Sequence, residues 1–304
     1  MNVFFTALAL VLAGGVLPLL LGTRLFLLRV VGVAGIGLGS LLGCIDAVRM
    51  LLDGSSHEAT ISYLQGVDLS FRTSPLSAFF LVVIFAVCAL AALYSFHFMD
   101  NPGWARRTAA HYLFFSLLVI AMALVVVADG MIPFLLSWEL MTIASFFLVI
   151  YDHEEEDNRK AGYLYFVFSQ GGAMFIFAAF GLIFAHTGSL GFEGAVGMAD
   201  GTKILVFALA LVGFGSKAGI FPLHFWLPHS HPAAPSHISS VMSGVMIKTG
   251  IFGILKMIIV LQLRTALFGE ILLIAGVISG VLGVVDALGQ HNLKRLLAYH
   301  GVEN

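Results

Sequence analysis

Three residues carry charge where the surrounding sequence is built for hydrocarbon. Glu139 sits in PFLLSWELMTIASFF, Lys217 in ALVGFGSKAGIFPLHF and Lys248 in SSVMSGVMIKTGIFGIL. A charge at the centre of a bilayer costs about 2.5–3.5 kcal/mol on insertion scales. Three left unpaired would cost on the order of 10 kcal/mol, comparable with the stability of a whole domain. They must therefore face one another or a watery interior. The same placement makes them chemically useful. Burial disfavours a charged amine and a nearby carboxylate favours it. A lysine whose carboxylate partner approaches and retreats can gain and lose a proton near neutral pH, which is the physical requirement of a proton relay. The alternative use of the same residues is a fixed Glu139–Lys217 pair that holds helices together. Lys248 has no obvious acidic partner in the sequence.

The stretches that must position these charges are unusual in the same places. Pro222 has no N–H to give to the carbonyl of Ala218, so it predicts a helix break one residue beyond Lys217. Freed backbone at membrane depth is tolerated where protein or a water-filled cavity satisfies it, and broken helices of this kind often mark transporter sites. Gly213, Gly215 and Gly219 beside Lys217, and Ser243, Gly244, Gly250 and Gly253 beside Lys248, permit close helix approach. Between the two lysines runs FPLHFWLPHSHPAAPSH, residues 221–237. Its histidines, His224, His229, His231 and His237, fit no common zinc spacing and are joined by no cysteine or acid, so no metal site is read. A proline-braced connector is the expectation, with one or more of these histidines passing protons to bulk water or between the lysines. His237 is the favoured one. It precedes Lys248 by eleven residues, roughly 16 Å of helix, so water would have to bridge them.

The rest of the chain explains why the charges stand out. It has 304 residues, 60% of them hydrophobic and 11% charged. Its mean hydropathy is +1.01. Soluble domains carry about 25% charged residues, so lipid is the natural solvent here. A net charge of −2 gives no reason to expect nucleic acid. Nine segments are long and apolar enough to span, at roughly 3–22, 26–48, 75–98, 109–128, 131–151, 161–186, 203–221, 236–260 and 267–288. A tenth begins at Lys294. Lipid requires every backbone group to be paired internally, so these are helices, and no alternating barrel pattern is present. The apolar N-terminal run has no preceding Lys or Arg and reads as a retained span rather than a secretory signal. The segment ISYLQGVDLSFR predicts a small hairpin in the loop 49–74. The acidic run DHEEEDNRK, 152–160, reads as a solvated connector, with a docking edge for a soluble partner as the other use. Cys44 and Cys88 read as packed thiols.

Orientation follows lysine and arginine. One side collects Arg24, Arg29, Arg106, Arg107, Arg159, Lys160, Lys294 and Arg295, and the other Arg49, Arg72, Lys203, Arg264 and Lys256. The bias places the first side in the cytoplasm and the N-terminus outside it. No Walker loop, dinucleotide fingerprint, CxxC or nucleophile triad is present, so the chain is expected to make no covalent bond itself.

The motifs WELMTIASFFLV, GSKAGIFPLHFWLPHSHPAAPSHISSVMSGVMIKTGI and QHNLKRLLAYHGVEN occur in this order. Over about residues 75–304 the chain resembles the antiporter-like subunits of respiratory complex I, a family that also supplies Mrp cation/proton antiporters and membrane-bound NiFe hydrogenases. HPAAPSHISSVMSGVMIKTGI and AYHGVEN are most similar to the hydrogenase branch, of the formate hydrogenlyase and hydrogenase-4 type. The resemblance implies an all-α, polytopic membrane helix bundle with an inverted-repeat antiporter-like fold. It divides this chain into a three-helix N-terminal region (1–108), a first five-helix repeat (109–260) with its broken helix near 217–222, and the start of a second, truncated repeat (261–304). The family's glutamate on the fifth helix matches Glu139, its lysine on the broken helix matches Lys217, and its bridging lysine matches Lys248.

The implied function is proton translocation in the cell (inner) membrane, coupled to redox chemistry in partner subunits that carry the NiFe and iron–sulfur centres. This chain would be a non-catalytic membrane subunit of the oxidoreductase complex and hold no cofactor. Two alternatives stand beside it: a complex I or Mrp-type cation/proton antiporter subunit, and a non-pumping scaffold that anchors a hydrogenase arm. Because the sequence ends shortly after a helix start, it reads as a piece of a longer subunit or as one half of a divided one.

Overall fold

The computed structural model describes residues 1–64, 67–101, 103–262 and 266–303. Its helices are α1 (Asn2–Leu20), α2 (Leu25–Asp53), α3 (Pro75–Phe98), α4 (Ala105–Val127), α5 (Met131–Val149), α6 (Glu156–Thr187), α7 (Asp200–Ala218), α8 (Leu227–Ala233), α9 (Ser236–Val241), α10 (Ile247–Leu261), α11 (Ala266–Leu288) and α12 (Leu293–Glu303). A π-helical turn, Met242–Met246, joins α9 to α10, so that Ser236–Leu261 forms one span. Among the described residues nine helices are long and apolar enough to cross a membrane. They coincide with the nine segments expected from hydropathy, and their outward faces keep large apolar side chains such as Leu52, Leu90 and Leu288 exposed. Arg264, counted above in the charge bias, lies outside the described residues.

The loop between α2 and α3 folds as the expected hairpin. Strands β1 (Glu58–Leu64) and β2 (Val67–Arg72) pair antiparallel, with Glu58 opposite Arg72 and Ile61 opposite Leu69. Arg72 Nε lies 2.9 Å from Glu58 Oε1 and 3.0 Å from Asp129 Oδ2, which fastens the hairpin to the turn between α4 and α5. α3 begins with Pro75 in its first turn, and the Ser74 hydroxyl caps it by accepting the Ser77 N–H at 3.1 Å. Cys44 and Cys88 are free thiols.

Half of the acidic run is helical. α6 starts at Glu156, five residues before the expected apolar edge, because Glu156 and Asp157 suit a helix N-terminus and Glu156 pairs with Lys160 at 2.7 Å. Arg159 Nη1 donates to the carbonyls of His153 and Glu154, closing the turn that precedes the helix.

Packing gathers the chain into two compact units, one of Met1–Tyr151 with Pro235–Val241, the other of Asp152–Ala234 with the chain from Met242 onward. In the first, α1 packs on α2 and α4, α2 on α3, and α4 on α5, around Phe4, Leu28, Ile36, Phe85, Tyr112 and Trp138. Arg29 is buried there: Nη2 meets Asp100 Oδ1 at 3.0 Å, Nη1 donates to the Phe96 carbonyl at 2.9 Å, and the guanidinium lies over the Phe96 ring. In the second, α6 packs on α7, α7 on α10, α11 on α12, and α8 on α6 and α12.

Candidate functional site: buried charges around a broken helix

α7 ends where Lys217 needs it to end. The helix stops at Ala218 because Gly219 takes a left-handed conformation (φ 76°), which side-chain-bearing residues rarely adopt. The break is therefore set by Gly219, three residues before Pro222, and Pro222 keeps the helix from resuming. Both the Gly219 and Ile220 N–H groups donate to the Gly215 carbonyl. The Ser216 carbonyl, deprived of its helical donor, accepts the indole N–H of Trp226 at 2.9 Å instead. The freed backbone carbonyl is thus satisfied by protein one residue before Lys217, where the sequence pointed to Ala218.

Lys217 is 2% exposed, in the last turn of α7. The negative end of the helix dipole favours its cation there. Its Nζ donates to the Tyr165 hydroxyl at 2.6 Å, and that hydroxyl donates to Met246 Sδ at 3.8 Å. Tyr165 is fully buried and packs against the Trp226 ring, centroids 5.0 Å apart. Lysine, tyrosine, tryptophan and the π-turn methionine thus form one contiguous polar and aromatic cluster at the break.

The connector is braced by proline as expected. Pro228 stands in the first turn of α8, and Pro235 separates α8 from α9. Its histidines go to different places. His224 is buried, stacked between Phe221 and Phe225, with Nε2 3.9 Å from Asp286 Oδ2 of α11. His229 is exposed and borders a cavity of about 970 Å³ shared with Glu156, Arg159 and Arg295. His231 is buried within α8. His237 lies on α9, in the first unit, where its Nε2 meets Nε2 of His111 at 2.8 Å. Among the described residues no three His, Cys, Asp or Glu side chains are grouped to hold a metal ion.

Lys248 follows the π-helical turn, a local widening often found at functional sites. It is half-buried, and among the described residues it has no hydrogen-bond or ion-pair partner. It borders a cavity of about 300 Å³ together with Ala218, Ser279, Gly301 and Glu303. Glu303 accepts from His300 Nδ1 through Oε1 at 2.8 Å, while its Oε2 is buried and, among the described residues, without a partner. An acid therefore shares the cavity of the lysine that has none nearby in sequence. Ser279 also accepts the Phe221 N–H at 3.0 Å, another backbone group released by the break.

Glu139 lies near the middle of α5, half-buried, its Oε1 enclosed. It follows Trp138, which is buried and stacked on Phe134. Glu139 belongs to the first unit, and Lys217 and Lys248 to the second. Charge placement found these three residues. It missed Tyr165, Trp226, His111, Asp286 and Glu303, of which the buried tyrosine and tryptophan could have been marked by their need for a polar partner inside a span.

Comparison with known proteins agrees with this architecture. Residues 128–303 match the family model described as NADH:quinone oxidoreductase/Mrp antiporter, transmembrane, and residues 62–106 match that of the complex I chain 5 N-terminus. Hydrogenase-4 component B of Escherichia coli K12 is 41% identical over 242 residues, covering 78% of this chain and 36% of the relative. Formate hydrogenlyase subunit 3 of the same organism is 29% identical over 279 residues, covering 90% of this chain and 41% of the relative. A chain of the archaeal membrane-bound sulfane sulfur reductase superposes with a TM-score of 0.84 at 28% identity, covering 98% of this chain and 49% of that one. The chain thus spans less than half the length of each. With nine apolar helices among its described residues and the broken α7, it is a multi-pass membrane protein and belongs to the NADH:quinone oxidoreductase/Mrp antiporter family of membrane subunits.

Proposed function

We propose that the chain is part of a proton-translocating membrane subunit of a membrane-bound NiFe hydrogenase of the hydrogenase-4 or formate hydrogenlyase type. The observation that carries the proton reading is a buried lysine at the broken end of a helix, hydrogen-bonded to an enclosed tyrosine, with a second lysine, without a bonded partner among the described residues, on a neighbouring cavity. Lys217 and Lys248 are the successive proton carriers, and Glu139 is the acid whose charge state biases Lys217. Glu303 supplies the counter-charge on the Lys248 cavity. Redox chemistry takes place in partner subunits, which carry the NiFe and iron–sulfur centres, and its energy shifts the charge states of Glu139 and Lys217. The hydrogenase assignment is supported by the 41% identity to hydrogenase-4 component B. The fold of the sulfane sulfur reductase chain favours a second reading, in which the same kind of membrane subunit serves a different respiratory redox arm. The N-terminus is placed outside the cytoplasm and the protein in the inner membrane. The chain divides topologically after residues 108 and 260, into an N-terminal region, a first repeat and the start of a second.

The test is proton movement in inverted vesicles holding the full-length complex, with Lys217→Ala and Lys248→Ala each normalised to assembled complex. Lys217→Ala is expected to abolish hydrogen-linked proton movement and Lys248→Ala to slow it, while assembly persists. Unchanged movement per complex would make the lysines struts and the chain an anchor. Movement linked to another donor, with no hydrogen chemistry in the purified complex, would select the second reading.

A further inference from the structure

His111 enters none of the steps above, yet it is one of the most enclosed polar side chains of the first unit. It stands on α4, five residues after Arg106, or about 7.5 Å along the helix from that charged end. It is 2% exposed, as is His237 of α9. The two rings meet through Nε2 atoms 2.8 Å apart, their centroids 4.8 Å apart and their planes at 72°. Aromatic rings enclose them: Phe115 lies near both, Tyr151 and Tyr112 near His111, and Tyr94 and Phe98 near His237. Among the described residues those three tyrosines are the titratable side chains in ring contact with the pair. Both Nδ1 atoms are buried and, among the described residues, have no partner. His237 also borders a cavity of about 470 Å³ with Tyr94, Ser236 and Ser240.

The chemistry of the contact is restrictive. Two Nε2 atoms at this distance share one proton, because two N–H groups cannot point at each other. One ring therefore donates through Nε2 and presents a bare lone pair at Nδ1. The other accepts at Nε2 and carries its own proton on Nδ1. A purely structural hydrogen bond would leave two buried polar atoms unsatisfied, each at the cost of its desolvation. A proton-exchanging pair uses those same atoms as its inlet and outlet.

We propose that His111 and His237 form a two-imidazole proton-exchange station between the water at the Arg106 end of α4 and the interior of the protein. A proton binds the bare Nδ1 of the donor ring. The proton already on that ring's Nε2 passes to Nε2 of the partner, and the partner releases its Nδ1 proton. One proton crosses two rings, no charge is left behind, and both tautomers are reversed. Ring rotation or the reverse transfer restores them. Imidazole is suited to the task because it can take up a proton at one ring nitrogen while giving one up at the other. The inference rests on the proton-carrying reading of the subunit, and the experiment separates the two.

In inverted vesicles holding the full-length complex, His111→Gln and His237→Ala are each expected to lower proton movement per assembled complex at least tenfold. The double variant should be no worse than either, because a relay fails once. Added imidazole should restore His237→Ala, whose cavity can admit it, and should not restore the double variant. With Lys217→Ala alongside, wild-type movement in the histidine variants and loss in the lysine variant would overturn the station alone. Wild-type movement in all three would overturn both readings. Loss of movement without imidazole rescue, accompanied by loss of assembly, would make the pair structural. A readout independent of transport is the ¹⁵N imidazole spectrum of the wild-type complex. One Nε2 of the pair protonated and the other bare, an arrangement removed by either substitution, is the expected result. Two protonated Nε2 atoms would overturn the shared proton.

Discussion

Gly250→Ala is the smallest perturbation that reaches Lys217 without touching it. Gly250 lies on α10 where that helix crosses the end of α7. A Cβ at this position would stand 2.6 Å from the Phe214 carbonyl oxygen and 2.8 Å from the Ala218 nitrogen. Both are backbone atoms of α7, so no rotamer change can relieve the contact. A carbon needs roughly 3.5 Å, so the two helices would have to part by about 0.9 Å. Overpacking of this kind costs about 1–3 kcal/mol. The displaced segment, Phe214–Ala218, contains Lys217, and a shift of about 1 Å in a positioned group can cost about 100-fold in rate. The assay is thermal unfolding of the full-length complex in nanodiscs, with proton movement per assembled complex measured on the same preparation. Gly181→Ala, on α6 with nothing within 4 Å, is the control. It should be neutral or slightly stabilising, because alanine favours a helix by about 0.5–1 kcal/mol over glycine. If Gly250→Ala unfolds and moves protons like the control, close approach of α7 and α10 does not position Lys217 and the reasoning fails.

Tyr165→Phe removes the hydroxyl that accepts from Lys217 Nζ. Hydrogen bonds to charged groups contribute about 1.5–3 kcal/mol, so a loss of stability of that size, read as a lowered unfolding midpoint, is expected, and an unshifted midpoint would show that the lysine finds an equal partner elsewhere. Ala275→Leu projects bulk into the 300 Å³ cavity that Lys248 shares with Glu303. It is expected to displace water and reduce proton movement without lowering assembly, and wild-type transport would remove this cavity from the path.

The division between what the sequence revealed and what it hid follows the range of the interactions. Spans are local: each apolar run must satisfy its own backbone, so hydropathy alone located the nine helices. Buried charge is also local information, since Lys217 is conspicuous in ALVGFGSKAGIFPLHF whatever it touches. Partners are not. Tyr165 lies 52 residues from Lys217 and His111 lies 126 residues from His237, and no periodicity links them. Pro222 was the louder signal for the helix break, yet Gly219 ends the helix first, because a left-handed glycine acts at its own position while a proline acts on the carbonyl four residues earlier. Charge alone marks the acidic run as a connector, although its first-turn acids and its Glu156–Lys160 pair are helix signals.

The two lysines are held in opposite ways, and that contrast bears on the direction of transfer within the second unit. Lys217 has a short bond to a buried hydroxyl, a helix end that favours its charge, and almost no exposure. Lys248 has a cavity and, among the described residues, no bonded partner, and across the same space lies an acid whose second oxygen has none among them either. A carrier fixed in dry surroundings changes charge only when its surroundings change, so Lys217 suits the step that redox chemistry drives. A carrier in a cavity exchanges with water and with its acid at little cost in rearrangement, so Lys248 suits the step that follows passively. On this reasoning Lys217→Arg and Lys248→Arg differ in outcome. Arginine remains charged throughout the accessible pH range and cannot release its proton. At Lys217 it blocks the driven step entirely. At Lys248 the cavity leaves water and Glu303 to carry the proton past the fixed charge, and slowed rather than abolished movement is expected in the vesicle assay. Equal abolition in both variants would mean that Lys248 is as obligatory a carrier as Lys217, and that the cavity does not conduct without it.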